Sequence, residues 1–239
     1  VAPVDHAKAY PFHIPARSYV LHGDGHRELL EGEPMPDLAG RFPVIACGSN
    51  QSPEQLGRKF SDKSRGPIPV LKVTVKDFDA VYSPHFSNYG SVPATLHHTP
   101  GTHVELFANW LTEEELTRMH ETEAVGMNYD FGRLDGIHME TEGGDTLHWA
   151  YAYIGRRGSL THQGEPLALA EVPATARRWT AMTQTDVLHM TRDRLQPESH
   201  IDIFIREHID SPDVRLARTE KLARGSLPFA FGGFSVIAV

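Results

Sequence analysis

Phe42-Pro43-Val44-Ile45-Ala46-Cys47 is a short apolar run that stops at Gly48 and is followed almost at once by Ser52-Pro53-Glu54-Gln55. The run reads as a buried strand. Ser52 stands as an N-cap, Pro53 takes the first helical position, and Gln55 completes a capping box. Strand, small-residue loop and capped helix in that order leave little freedom in local geometry. They place the backbone N–H groups of Gly48-Ser49-Asn50-Gln51 at a helix start, where an anion can be held. Gly48 allows close backbone approach. The competing reading is an ordinary strand-to-helix turn.

A second segment, Leu111 to Val125, pairs naturally with the first. Thr112 and Glu115 form another capping box, and the acids Glu113 to Glu115 suit a helix N-terminus. Leu116, Met119 and Glu123 then share one helical face, so Glu123 closes a short amphipathic helix beside apolar residues. Burial against Met119, Val125 and Phe131 is expected to raise this carboxyl toward neutrality and make it a competent base. The competing reading is a solvated glutamate at a helix end. Glu121, two residues away, faces elsewhere.

The rest of the middle is strand-like. Leu71, Val73 and Val75 alternate with Lys72, Thr74 and Lys76; Phe78, Ala80 and Tyr82 continue in the opposite parity, which predicts a bulge near Asp77. Pro93 to Leu96 runs to an expected turn at Pro100-Gly101, and Val104, Leu106, Ala108 and Trp110 alternate in a further strand. Residues 131–154 read as a hairpin turning at Gly143-Gly144-Asp145. Residues 174–195 and 199–209 read as helices; Ile201, Phe204, Ile205 and Ile209 form an apolar stripe expected to be core rather than a dimer interface. Ser211-Pro212-Asp213 starts another helix, and an apolar tail from Phe229 docks. Strands followed by helices give an α+β fold. The expected organisation is an irregular N-terminal arm (1–38), a central domain (39–172) and a helical extension (173–239) packed on it.

Composition narrows the function classes. With 31 acids against 23 bases the chain carries a net charge of −8, which argues against a nucleic-acid partner and for solubility. No apolar run reaches the length of a membrane helix, and the first residues lack the pattern of a signal peptide. A single cysteine, Cys47, excludes an intramolecular disulfide and suits a reducing, cytoplasmic setting. At the end of a buried strand Cys47 reads as a small packing residue; the alternative is a nucleophile. The fifteen histidines form no ligand spacing. His97, His98 and His103 flank the Pro-Gly turn and read as strand-end residues, so no metal is expected; a histidine-bound metal hydrolase is the competing possibility. Oligomeric state is not legible.

Taken in order, these segments resemble the gamma-glutamylcyclotransferase-like family. Its pattern opens with Tyr-Gly-Ser-Asn-Leu after the first strand, standing here as Cys47-Gly48-Ser49-Asn50-Gln51. An Ala-Thr-hydrophobic strand followed by Pro-Gly is matched by Ala94-Thr95-Leu96 and Pro100-Gly101. A helix entering Leu-Asp-x-x-Glu-Gly-Val is matched by Met119 to Val125, with His120 where the family often has Asp and Ala124 where it has Gly. The resemblance covers residues 42–154. It implies a small mixed β-barrel with packed helices, no metal and no organic cofactor, and a cavity in which the Gly-Ser-Asn loop faces Glu123.

The reaction so implied is intramolecular: the α-amine of a γ-glutamyl amide attacks its own γ-carbonyl, closing 5-oxoproline and expelling an amine or amino acid. Glu123 is the expected proton carrier. Cys47, Gly48, Ser49, Asn50, Gln51 and Tyr129 are the expected contacts to this small-molecule substrate. The alternative on the same fold is a non-catalytic module that binds a γ-glutamyl ligand or a partner.

Overall fold

A computed structural model describes residues 2–29, 33–61 and 66–239. They form α1 (Pro3–Lys8), β1 (Tyr19–His22), β2 (Gly25–Glu28), β3 (Phe42–Ala46), α2 (Pro53–Lys59), β4 (Ile68–Tyr82), β5 (Ala94–Leu111), α3 (Glu113–Thr122), β6 (Tyr129–Thr141), β7 (Thr146–Gly155), α4 (Gln184–Leu195), α5 (Ile201–Asp210) and α6 (Pro212–Leu222), with several two- and three-residue strands between and after them.

Five of the strands close on themselves. β4 pairs antiparallel with β5, β5 with β3, β7 with β6, and β6 returns to β4; β3 and β7 are parallel. The result is a closed, mixed β-barrel in an α+β fold, as expected. Its interior is filled by alternate residues of each strand, among them Leu71, Val73, Val75, Leu106, Ala108, Leu134 and Ala150. The opposite parity builds a second layer outside, where Val44, Val70, Phe107, Leu111 and Phe131 receive Leu56 and Phe60 from the α2 region and Met119 from α3. Burying a large apolar side chain stabilises by about 1.5–3 kcal/mol, so both parities of these strands are committed to burial.

The expected bulge falls at Asp77, which adopts φ 64° where the register of β4 shifts. The turn expected at Pro100-Gly101 is absent. β5 runs unbroken from Ala94 to Leu111, and residues 99–102 arch opposite Asp77, whose Oδ1 accepts the Gly101 N–H at 2.7 Å. A Pro-Gly pair reads as a turn from sequence; here the four residues 99–102 of β5 stand against the single Asp77 of β4, so the pair is taken up as an irregularity within the strand pairing. The hairpin of β6 and β7 turns at the expected glycines, with Gly144 at φ 91°.

The N-terminal residues are not irregular. β1 pairs with β4 and β2 with β1, extending the sheet, and α1 buries Val4 and Ala7 in the main core. Residues 1 and 30–32 of the expected arm lie outside the described residues. The helix expected at 174–195 begins only at Gln184; Ala174–Thr175 and Ala181–Met182 are short strands. Capping explains the start, because Thr183 and Asp186 form a reciprocal box. Ile201, Phe204 and Ile205 of α5 join the barrel-side core, and Phe234–Val236 pairs with β6. Among the described residues no helix is long and apolar enough to cross a membrane.

His208 of α5 is fully buried, stacked on Phe86 at 3.8 Å between ring centroids. Burial, with the nearby guanidinium groups of Arg218 and Arg215, pushes its imidazole down to about 3. The unfolded chain therefore binds a proton between the ordinary histidine range and about 3 that the folded chain refuses, so this residue's contribution is intact at pH 7 and is lost as pH falls below about 6.5. Urea titrations at pH 7 and pH 5 should show the loss, about 1 kcal/mol per pH unit from this residue; His208→Gln should flatten the profile, and an unchanged slope would refute the assignment.

Gly132 of β6 faces the terminal strand so closely that an added Cβ would sit 2.5 Å from both the Phe234 ring and the Ser235 carbonyl oxygen. Gly132→Ala should undock residues 234–236 and destabilise by about 1–3 kcal/mol. Hydrogen exchange of these amides, unaltered in the variant, would contradict this.

Candidate active site

β3 ends at Ala46 and delivers Cys47 and Gly48 to the barrel mouth, held between β5 and β7. Gly48 takes φ −139°, ψ −133°, and Ser49–Gln51 make one 3-10 turn before α2. Glycine is required here by contact: a Cβ at Gly48 would lie 2.1 Å from the Tyr10 hydroxyl oxygen. The Gln51 and Ser52 amides are spent inside the turn on the carbonyls of Gly48 and Ser49. Ser52 and Pro53 hold the expected first positions of α2, but the capping box with Gln55 does not form, and the Ser52 hydroxyl meets no partner among the described residues.

On the other side, α3 is anchored at its start. Thr112 and Glu115 form the expected box, and the buried Glu115 also receives Arg41 at 2.7 Å. Met119 is wholly buried one turn before Glu123, which is the C-cap. This geometry brings Glu123 to the Gly-Ser-Asn loop: Asn50 Nδ2 donates to Glu123 Oε1 at 2.8 Å. Lys59, the last residue of α2, forms an ion pair with the same oxygen. The apolar environment expected for Glu123 is therefore not what surrounds it. Its partners are an ammonium and an amide, and its side chain is 12% exposed against 10% for Lys59.

Both segments line one cavity of about 660 Å³. Of the expected site residues, Cys47, Gly48, Ser49, Asn50, Glu123 and Tyr129 are on its wall; Gln51 is not. Gln51 is buried beneath the loop at 1% exposure, where its backbone carbonyl accepts from the Tyr19 hydroxyl. The 3-10 turn rotates its side chain inward, which strand-loop-helix reasoning did not foresee. Glu121 faces solvent beside Arg118, as expected. Burial pushes the Cys47 thiol up to about 12, with the Glu123 carboxylate adding to the shift. It is a neutral thiol at physiological pH and a poor nucleophile.

Apart from Tyr89, which beside Gly90 reads from sequence as a weaker candidate of the same kind as Tyr129, several wall residues carried no sequence signal. Tyr10, from the N-terminal segment, accepts the Ala94 N–H at 2.7 Å, while Tyr129 donates to the Ala94 carbonyl at 3.2 Å. Burial holds both phenols well above their ordinary range, so they are protonated hydrogen-bonding groups. Lys59, Arg58 and His6 come from α2 and α1, His85 and Tyr89 from the β4–β5 connection, and Arg215 from α6. Only tertiary packing assembles this set; beside Tyr89, Lys59 was reachable, as a cation ending the helix that follows the loop. His97, His98 and His103, the histidines of the competing metal reading, all lie in β5; His97 bonds Ser159 at 2.8 Å and His98 packs between Phe78 and Phe231. Among the described residues no group of three or more His, Cys, Asp or Glu is placed to hold a metal ion.

No family model matches the chain, and no curated protein does. Solved structures that match include a gamma-glutamyl cyclotransferase (17% identity, 81% of this chain and 92% of that one, TM-score 0.39), an uncharacterized protein from Homo sapiens (16%, 81% and 92%, 0.40) and an Arabidopsis thaliana protein solved in solution (15%, 50% and 71%, 0.38).

Removing Lys59 leaves a largely buried carboxylate with Asn50 alone. Lys59→Met should cost about 3 kcal/mol, and Lys59→Met with Glu123→Gln should recover much of it. A double-mutant cycle in urea with no coupling between the two would overturn the pair's structural importance.

Proposed function

We propose that the chain is an enzyme of the gamma-glutamylcyclotransferase type, converting a γ-glutamyl amide to 5-oxoproline in the cavity shared by the Gly48–Asn50 loop and Glu123. The observation that carries this reading is the contact between Asn50 and Glu123 at 2.8 Å, which joins the loop and the acid at one point on the wall. Lys59 beside them makes the point bipolar, and bipolar is what an α-amino acid head requires. A substrate carboxylate suits the Lys59 ammonium, and a substrate α-ammonium suits the Glu123 carboxylate.

In this scheme the substrate's own head group exchanges with the ion pair. Glu123 accepts a proton from the α-ammonium, and the freed amine attacks the γ-carbonyl carbon. The tetrahedral species collapses with cleavage of the bond to the departing nitrogen, which receives protons through Glu123. Two protons leave the attacking nitrogen and two reach the leaving one, so the α-ammonium charge departs as an amine cation. No covalent enzyme intermediate is needed, in keeping with the protonated Cys47 thiol. Because nucleophile and electrophile are tethered, holding one rotamer supplies much of the acceleration, up to roughly 7–11 kcal/mol in good cases.

The Lys59 ion pair also favours a second reading, a module that binds a γ-glutamyl ligand without turning it over, because a carboxylate already engaged serves recognition as well as proton transfer. Turnover separates the two. Purified protein given γ-glutamyl amino acids and γ-glutamyl amines should release 5-oxoproline, and Glu123→Gln, assayed below its own lowered melting temperature, should lower kcat by about 10²–10⁴-fold. Binding without release across the panel supports the second reading, and an undiminished rate in Glu123→Gln refutes the role of that residue.

A further inference from the structure

We propose that His85 is a second catalytic residue of this cavity, its Nε2–H donating a hydrogen bond to the γ-carbonyl oxygen as negative charge develops there; the assignment rests on the lactam-forming reading above. His85 lies in the connection between β4 and β5, separate from the elements that bring Lys59 and Glu123. It is 3% exposed and lines the cavity.

The proton is located by hydrogen-bond bookkeeping. His85 Nδ1 lies 2.9 Å from Ser83 Oγ. Ser83 is fully buried, and its hydroxyl has no other partner among the described residues. A buried hydroxyl proton with no acceptor costs about 1–3 kcal/mol, so Ser83 donates to Nδ1. That fixes the tautomer with the remaining proton on Nε2. Nε2 meets no partner among the described residues and is not sealed from solvent. It opens on the cavity. The ring is held edge-on against Tyr129, at 5.6 Å between centroids and 75° between planes, and Tyr129 is itself tied to Ala94.

An imidazole fixed this way donates without surrendering its proton. Burial, with Arg157 nearby, pushes it down to about 3, so it is neutral at pH 7. A preorganised neutral donor suits an oxyanion that forms and collapses within one turnover, since His85 ends the cycle in the state in which it began it. Removing one such donor from an acyl-transfer site typically lowers kcat by about 10²–10³-fold.

The kinetic test measures 5-oxoproline release. His85→Phe should lose about 100-fold or more in kcat with KM little changed, and His85→Gln, whose amide nitrogen reaches the same point, should recover at least about ten-fold of that loss. Ser83→Ala, which frees the tautomer, should fall between wild type and His85→Phe. If His85→Phe does not fold, the other two variants carry the kinetic test. Full kcat in folded His85→Phe, or equal losses in the Phe and Gln variants, overturns the proposal. A second readout needs no turnover. In histidine-¹⁵N-labelled protein the His85 Nε2 signal should be that of a protonated nitrogen at pH 7 and should shift when 5-oxoproline is added. A bare Nε2, or a signal unmoved by the lactam, overturns the assignment. A wild type that releases no 5-oxoproline from any γ-glutamyl amide sinks the proposed function instead, and the ¹⁵N titration then decides whether His85 is a lactam donor.

Discussion

The pairing of β4 with β5 is the constraint on which the rest depends, because it closes the barrel and ends the sheet's search for partners. These are the two longest strands, and each is buried on both faces along much of its length. Closure removes their open edges and fixes where β3 must enter, against β5 on one side and β7 on the other. Once β3 is fixed, Gly48 has a single location. Ala94, the first residue of β5, then becomes the anchor for two tyrosines on opposite sides of its own peptide units. The cavity wall is thus a by-product of barrel closure, built from strand ends.

Charge is handled in the same frugal way. Buried charges occur in pairs that join separate elements: Arg41 with Glu115 ties the approach to β3 to α3, and Arg177 with the fully buried Asp79 clamps the segment before α4 onto β4. Desolvation raises Asp79 while the Arg177 hydrogen bonds oppose it. Such pairs contribute little net stability against an apolar replacement, but breaking one is expensive, so they specify arrangement. Lys59 with Glu123 follows the same rule with one difference: this pair borders a cavity. Around it lie buried polar atoms with no partner among the described residues, Asn50 Oδ1, Gln51 Nε2, Ser52 Oγ and Asn109 Oδ1. A core built for stability alone would satisfy them.

Much of this was legible in the chain. The alternation of Leu71, Val73 and Val75 and the parity switch at Phe78 gave β4 and its bulge; Thr112 and Glu115 gave α3; Gly143-Gly144 gave the hairpin turn. These are local effects, in which a residue's own conformational preference and its nearest neighbours decide. Where the reading failed, a distant partner had intervened. Pro100-Gly101 does not turn because Asp77 binds it from across the sheet. Residues 19–21 form a strand because the start of β4, residues 68–70, offers an edge that β6 does not cover, and residues 25–28 pair with that strand in turn.

The candidate site divides along the same line. Sequence by itself determined that a glycine loop would end the first barrel strand and that a capped helix would finish at an acid, since period, capping and turn chemistry are short-range and additive. Only the tertiary structure decided what those two features would meet. It turned Gln51 inward, set Lys59 against Glu123 in place of an apolar pocket, and brought Tyr10 and His85 to the wall from segments far off in the chain. Electrostatic partners and cavity walls are properties of proximity in space, and a residue carries no mark of its neighbours until the strands between them have closed.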